Sequence, residues 1–209
     1  MRKQRDGAGT KETVIAAAKA AFAERGFSGT SLAYISRQCG ISEGLILHHY
    51  KSKQGLYQAV LEELSVGYDD MLVQAMTGAE NPDEMAGNML AATFRFWSED
   101  RVYNRIAMWA YLENRTELIA AETALTAKLA GLLTEMQKQG RVDAAFSPLT
   151  LLTMTIGPIH FWTRYREQFK RALGLEGTMD ELNRRFLQEY MSLIEKLYRP
   201  GTGSAGETS

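Results

Sequence analysis

Apolar residues recur along most of this chain at the spacing of an α-helix. Within residues 11–25, the side chains of Val14, Ile15, Ala18 and Phe22 fall on one face, which is typical of a helix that buries one side. The every-second-residue alternation that predicts strands is scarce. The sequence therefore predicts an all-α protein. Its long helices are expected over about residues 11–25, 53–76, 83–97, 98–114, 116–139, 147–162 and 178–197.

Two much shorter helices are predicted between residues 30 and 53. Thr30 and Ser31 are N-cap candidates for the first, and Gly40 suits the left-handed residue that ends it. Ser42 caps the second helix, which closes near His49. A helix of this length is marginal by itself and must be held by its neighbours. Two short helices joined by a glycine turn are the pattern of a helix-turn-helix, which places its second helix against a DNA groove.

Caps and helix breakers organise the C-terminal half. Ser147 followed by Pro148 is a helix start, and Gly157-Pro158 is expected to kink the helix that follows. Thr178 and Glu181 have the spacing of a capping box.

These signals divide the chain into four predicted regions. They are a basic flexible arm over residues 1–9, a three-helix DNA-binding domain with the helix-turn-helix over 10–56, a helical ligand-binding and dimerisation domain over 57–199, and a disordered tail over 200–209.

Charge is distributed unevenly between the two predicted domains. Residues 1–58 carry a net charge of +5 and the remainder carries −6, so the overall charge of −1 hides a strong asymmetry. A basic module on an acidic body suits phosphate binding. No apolar run approaches the about 20 residues that span a membrane. The N-terminus has no secretory apolar core, and the single cysteine, Cys39, excludes an internal disulfide, so a cytoplasmic protein is expected.

The segment FAERGFSGTSLAYISRQCGISEGLILHHYKSKQGL, residues 22–56, resembles the N-terminal DNA-binding domain of the tetracycline-repressor (TetR) family. The resemblance extends over roughly residues 10–60. It implies an all-α, homodimeric transcriptional regulator, usually a repressor, with a small-molecule pocket in the C-terminal domain. We expect no cofactor. The positions that match the family pattern are Phe22, Glu24, Gly26, Thr30, Ile35, Gly40, Ser42, Gly44, His49, Tyr50, Lys53 and Leu56.

The helix-turn-helix is expected to use two kinds of DNA contact on a palindromic double-stranded operator. Contacts to phosphate set the register, whereas contacts to base edges read the sequence. We expect phosphate contacts from Thr30, Ser31, Lys51, Lys53 and the first-turn amides near Ser42. We expect Gly44, Leu47, His48 and His49 to face the major groove.

Two positions depart from the usual family pattern. Leu47 stands where a tyrosine is most common, and its side chain either meets a thymine methyl group or simply packs. Glu43 stands where a basic or neutral residue is common, and its carboxylate either accepts from cytosine N4 or repels the backbone. Both departures concern the operator sequence rather than the DNA-binding role.

Large adaptable side chains are concentrated in the middle of the C-terminal domain. Such residues line apolar ligand pockets, and they equally fill cores. His160 is the best polar candidate, although a core histidine with satisfied hydrogen bonds is the commoner case. An apolar or aromatic effector, uncharged or anionic, is expected. The candidate ligand-binding residues are Phe94, Trp97, Met108, Trp109, Tyr111, Met154, His160 and Trp162.

The last two long helices have apolar faces wide enough to bury two sides, which predicts a homodimer through a four-helix bundle. Two alternatives remain, an all-α enzyme and a helical regulator that acts through protein partners. Adjacent His48 and His49 point about 100° apart on a helix and cannot share one metal without a third element. No catalytic residue or metal ligand is predicted.

Overall fold

The computed structural model of the chain describes residues 7–80 and 82–198, and these residues contain nine α-helices and no strand. The all-α prediction is confirmed. The predicted tail over 200–209 and residues 1–6 of the predicted arm lie outside the described residues. The helices are α1 (Gly7–Arg25), α2 (Leu32–Cys39), α3 (Glu43–Tyr50), α4 (Lys53–Thr77), α5 (Pro82–Glu99), α6 (Arg101–Leu112), α7 (Glu117–Lys138), α8 (Pro148–Ala172) and α9 (Met179–Tyr198).

Side-chain caps begin the helices where the sequence predicts them. The hydroxyls of Ser31, Ser42 and Ser147 accept the backbone N–H three residues further on, at the starts of α2, α3 and α8. Gly40 ends α2 with φ 66°, in the left-handed region that glycine enters without steric cost. Thr178 and Glu181 exchange hydrogen bonds of 2.6 and 3.2 Å between backbone N–H and side-chain oxygen, which confirms the capping box.

The first compact unit comprises residues up to Val73 together with Asp100–Glu122. Its core includes Phe22, Ile35, Ile46 and Leu56, each with no exposed side-chain surface. Most of α4 and all of α6 group with the helix-turn-helix in this unit. The predicted functional boundary at residues 56/57 stays a prediction. Helix α6 packs against α1, a contact between residues about 80 positions apart that local sequence patterns do not indicate.

The second compact unit comprises Gln74–Glu99 and the chain from Thr123 onwards. Helix α5 packs against α8 and α9. The buried residues at their centre are Leu90, Phe94, Ile159 and Tyr190. Among the helices of the described residues, none is long and apolar enough to cross a membrane.

A tyrosine from α9 compensates for the proline inside α8. Pro158 has no N–H, so it cannot donate to the carbonyl of Met154 one turn earlier. The hydroxyl of Tyr190, which is 5% exposed, lies 2.5 Å from that carbonyl oxygen and 2.8 Å from the carbonyl oxygen of Thr155. Helix α8 continues through Pro158 to Ala172, and α9 supplies a donor to the carbonyl that Pro158 leaves without one.

This compensation predicts that the effects of substitutions at Tyr190 and Pro158 are coupled. Tyr190→Phe leaves the Met154 carbonyl without its donor and should lower the free energy of unfolding by about 1–3 kcal/mol. In a Pro158→Ala background the backbone N–H at position 158 restores a donor, so Tyr190→Phe should cost clearly less. A double-mutant cycle by urea denaturation measures the difference. Equal costs in the two backgrounds would contradict the interpretation.

Candidate nucleic-acid interface

Helix α3 is held by one buried side and presents the other to solvent. Ile46 has no exposed surface, and Ile41 in the turn before the helix is 4% exposed. On the opposite side Glu43, Gly44 and His48 are exposed, and Leu47 retains 39% of its accessible surface. The structure therefore brings three of the predicted base-reading residues, Gly44, Leu47 and His48, onto one exposed surface of a short helix and leaves the fourth, His49, half-buried beside it.

The start of α3 has the features of an anion site. Ser42 is exposed, and its hydroxyl oxygen accepts the backbone N–H of Leu45 at 3.3 Å. The amides of the first turn carry the positive end of the helix dipole, which favours a phosphate oxygen. Glu43 is exposed at the same end. Its carboxylate opposes phosphate electrostatically unless it is turned toward a base.

Nothing in the described part of the chain requires a glycine at position 44. A Cβ atom added to Gly44 would meet no atom within 4 Å, and its φ lies outside the left-handed region. Glycine in a helix is less stable than alanine by about 1 kcal/mol. A glycine on an exposed helix surface with open space above it is suited to close approach by an external partner such as a DNA strand.

The two histidines lie next to each other at the end of α3. Their ring centroids are 5.4 Å apart and the rings are arranged edge to face. His48 is exposed and His49 is half-buried, with its ring 6.3 Å from that of Tyr50. Each imidazole carries an N–H that can donate to a base edge or a phosphate.

The two predicted phosphate-binding lysines differ in their surroundings. Lys51 is exposed, and its ammonium donates to the carbonyl oxygen of His48 at 3.0 Å. The Lys53 ammonium donates to the carbonyl oxygens of Phe27 and Thr30, both at 2.9 Å, and lies 4.1 Å from the centroid of the Phe27 ring. Lys53 thus ties the turn after α1 to the start of α4, and one N–H of its ammonium is left for a phosphate.

The side chain of Thr30 does not have the position that the sequence predicted. We expected its side chain to cap α2 and to face phosphate, but Thr30 is 2% exposed. Its hydroxyl donates to the carbonyl oxygens of Gly26 at 2.7 Å and Ala21 at 3.2 Å. A buried hydroxyl with these partners stabilises the end of α1 instead. Ser31, which is exposed, is the N-cap of α2 and remains the candidate for a phosphate contact.

The candidate ligand residues are divided between the two compact units. Met108, Trp109 and Tyr111 belong to the first unit, and the other five belong to the second. Tyr111 is 78% exposed and Met154 is 51% exposed in one protomer. Their assignment to a ligand site stays a prediction.

The remaining candidates in the second unit lie close together. Phe94 is a buried member of its core, and Trp97 and Trp162 pack against that core. The His160 ring lies 3.9 Å from the centroid of the Trp97 ring, and burial lowers the pKa of His160, although part of the residue remains exposed. Trp162 donates its indole N–H to the side-chain oxygen of Asn183 at 3.0 Å.

A set of polar contacts that the sequence did not indicate holds α6 to the end of α1. Arg105 donates to the carbonyl oxygens of Ala23 at 2.6 Å and Glu24 at 3.3 Å. The Glu113 carboxylate accepts the backbone N–H groups of Phe27 at 3.1 Å and Ser28 at 3.0 Å. We call Arg105 and Glu113 the α6 anchor. The end of α1 and the start of the turn that follows it are therefore fixed by charged side chains from α6 and its C-cap.

Arg115 extends this contact toward α4. Its guanidinium lies 3.6 Å from the Phe27 ring centroid and donates to the side-chain oxygens of Gln54 and Glu117, at 2.5 and 2.6 Å. Burial alone raises the pKa of Glu117, but hydrogen bonds from its own backbone N–H, Gln54 and Arg115 outweigh it and the pKa is lowered. Burial also raises the pKa of Tyr57, beneath the same guanidinium, to about 12.

The fold and this surface define a class of protein, an all-α DNA-binding protein that offers the second helix of a helix-turn-helix to the double helix. Two family models match the chain. Residues 14–60 match the model for bacterial regulatory proteins of the tetR family, and residues 88–190 match the model for the tetracycline repressor-like C-terminal domain. The chain belongs to the TetR family of transcriptional regulators, which bind DNA through the helix-turn-helix.

Curated relatives agree with this assignment. The transcriptional repressor BepR of Brucella suis is 21% identical over 184 residues, which cover 80% of this chain and 87% of BepR. The transcriptional regulator UidR of Escherichia coli is 38% identical over 52 residues, which cover 25% of this chain and 26% of UidR. These relatives are transcriptional regulators rather than enzymes.

Solved structures support the fold over nearly the whole chain. SCO4942 of Streptomyces coelicolor, described as a transcriptional regulator, has 21% identity and a TM-score of 0.71, covering 91% of this chain and 99% of its own. FadR of Bacillus subtilis in complex with stearoyl-CoA has 16% identity and a TM-score of 0.68, covering 90% and 99%. At this identity the likeness concerns the fold alone.

The open space at Gly44 predicts opposite effects on folding and on binding. Gly44→Ala should raise the free energy of unfolding by up to about 1 kcal/mol, because alanine favours the helix, while weakening DNA binding. Gly67→Ala is the matched control, since Gly67 is also exposed, helical and free of neighbours within 4 Å. The control should gain stability without losing DNA affinity. Chemical denaturation and fluorescence anisotropy measure the two quantities, and unchanged affinity in Gly44→Ala would show that nothing approaches this surface closely.

The α6 anchor predicts a strong effect from a single half-buried carboxylate. Glu113→Ala leaves the N–H groups of Phe27 and Ser28 without their acceptor and should lower the free energy of unfolding by about 1–3 kcal/mol. Glu135→Ala, which removes an exposed ion pair with Lys138, should change it by less than about 1 kcal/mol. Denaturant titrations compare the two, and similar effects would contradict the structural role of Glu113.

Proposed function

We propose that the chain is a ligand-responsive homodimeric repressor that binds a palindromic operator and is released by a small apolar or aromatic effector. The observation that carries the proposal is the free surface of α3, where Gly44, Leu47 and His48 are exposed together beside a capped helix N-terminus. A helix of eight residues reads only a few base pairs. Two copies related by a two-fold axis, on a palindromic site, supply the remaining specificity.

The dimer is proposed from the apolar side chains that α8 and α9 leave exposed in one protomer. These are Leu149, Met154, Phe161 and Leu193, with 73, 51, 56 and 60% of their surface accessible. Apolar side chains exposed to this degree on neighbouring helices favour association with a second copy. A bundle of α8 and α9 from two protomers would bury them.

The effector site is proposed near the aromatic side chains of the second unit. Trp97, His160 and Trp162 supply aromatic surface, and burial lowers the pKa of His160, which favours the neutral imidazole. A neutral imidazole both donates and accepts one hydrogen bond, which suits an apolar or aromatic ligand with a single polar group. The ligand weakens operator binding only if it binds the DNA-incompetent conformation more tightly than the competent one.

A thermal-shift screen of apolar and aromatic compounds followed by operator-binding assays tests the effector role. A compound that raises the Tm and releases the operator supports the proposal. Stabilising compounds that leave operator affinity unchanged would separate ligand binding from regulation and contradict it.

The division between base reading and phosphate binding predicts different effects at neighbouring residues. His48→Ala should change the preference among operator variants, because it removes a donor from the base-reading surface. Lys51→Gln should weaken binding to all sequences alike and reduce the slope of log K against log salt by about 1, because one phosphate contact is lost. Binding measured over an operator library at several salt concentrations distinguishes them. Identical profiles for the two variants would show that the roles are assigned wrongly.

The dimer interface predicts that a charge on α8 produces monomers. Phe161→Glu should give a species near the 23.4 kDa of one chain in sedimentation, because a buried carboxylate opposes association. Operator affinity should fall at least tenfold, since each DNA-binding domain then binds its half-site without a partner. Val66→Glu on α4, at 58% exposure, is the matched control and should stay dimeric. A Phe161→Glu chain that still sediments as a dimer would place the interface elsewhere.

A further inference from the structure

The connection from α3 to α4 is a two-residue turn in a strained conformation. Lys51 has φ 66° and ψ −35°, a left-handed region that residues with a side chain rarely adopt. The backbone N–H of Ser52 donates to the carbonyl oxygen of Tyr50 at 2.8 Å, which closes a three-residue γ-turn around Lys51. Strain of this kind persists only where surrounding contacts fix it.

Gly55, in the first turn of α4, is the residue that permits this geometry. A Cβ atom at Gly55 would overlap the carbonyl oxygen of Tyr50 and lie 3.3 Å from its carbonyl carbon. The obstacle is backbone and cannot rotate away as a flexible side chain would. The φ of Gly55 lies outside the left-handed region, so close approach rather than conformation requires glycine here.

The lack of a side chain at Gly55 also affects the hydrogen bonds that Ser52 makes in the turn. Ser52 is the N-cap of α4, and its hydroxyl oxygen accepts the backbone N–H of Gly55 at 3.0 Å. A glutamate three residues after such a cap would accept the backbone N–H of the cap residue. With glycine at position 55, the N–H of Ser52 bonds to Tyr50 instead. The last carbonyl of α3 therefore lies directly against α4.

That carbonyl belongs to the end of α3 that carries the reading side chains. The backbone N–H of Lys51 donates to the carbonyl oxygen of Leu47 at 2.8 Å. The Lys51 ammonium donates to the carbonyl oxygen of His48 at 3.0 Å. The other end of α3 is fixed separately by the buried Ile46 and the Ser42 cap. A shift of the Tyr50 carbonyl thus moves the C-terminal half of α3 more than its first turn.

We propose that Gly55 is a positioning residue for operator recognition, which lets the last carbonyl of α3 lie against α4 and so sets the presentation of His48, His49 and Lys51 to the DNA. Gly55 touches no base in this account and acts only through the turn. The inference rests on the DNA-binding role of α3 and adds a specificity determinant outside the reading helix.

The test compares Gly55→Ala with Ser52→Ala in the full-length protein. Both should lower the Tm, the first by pushing the turn open and the second by removing the cap of α4. Binding is measured at a temperature at which circular dichroism shows both variants folded, against a randomised operator library and against non-specific DNA. Gly67→Ala, on an open surface of the same helix, controls for added helix propensity.

We expect Gly55→Ala to lose at least tenfold of its preference for the best operator over non-specific DNA, with non-specific affinity falling no further than it does in Lys51→Gln. Ser52→Ala and Gly67→Ala should keep the wild-type preference. If operator preference falls equally in Gly55→Ala and Ser52→Ala, the loss of preference results from lower stability, and the positioning role is wrong. It is also wrong if Gly55→Ala keeps the wild-type preference, or if it does not fold at any temperature. A wild-type chain without sequence preference would overturn the proposed function itself.

Discussion

The structure of the DNA-binding unit depends on one constraint, that a helix of eight residues cannot remain folded by itself. Helix α3 is held by the burial of Ile46, by the Ser42 cap and by a turn packed against α4 at Gly55. Each of these contacts uses the buried side or an end of the helix. The opposite side, with Gly44, Leu47 and His48, is consequently exposed and available to DNA.

Some basic side chains of the DNA-binding unit are available to DNA phosphate, whereas others stabilise the unit itself. Sequence composition alone does not distinguish the two groups. Lys51 is exposed and close to the reading surface, whereas Lys19 pairs with Glu63 and Lys53 donates to backbone carbonyl oxygens within the unit. The net charge of +5 over residues 1–58 therefore overstates the charge available to phosphate. Part of it fixes the turn after α1, and this rigidity reduces the ordering cost of binding.

Local signals predicted the helices well, because caps, glycine stops and apolar spacing act over a few residues. Ser42, Gly40 and the Thr178–Glu181 capping box are examples. Contacts between distant segments were not predictable in this way. Glu113 meets the amides of Phe27 and Ser28 across more than 80 positions, and no local pattern marks it. Thr30 was misassigned because a threonine beside a helix start fits a cap and a buried bond equally well.

Contact between the exposed side of α3 and DNA is tested most directly by hydrogen–deuterium exchange of the full-length protein with and without its operator. Operator binding should slow amide exchange most in the peptide covering residues 42–51, with a smaller effect at Ser31 and none in the middle of α5. A bound complex in which exchange across residues 42–51 is unchanged, while another surface becomes protected, would contradict it.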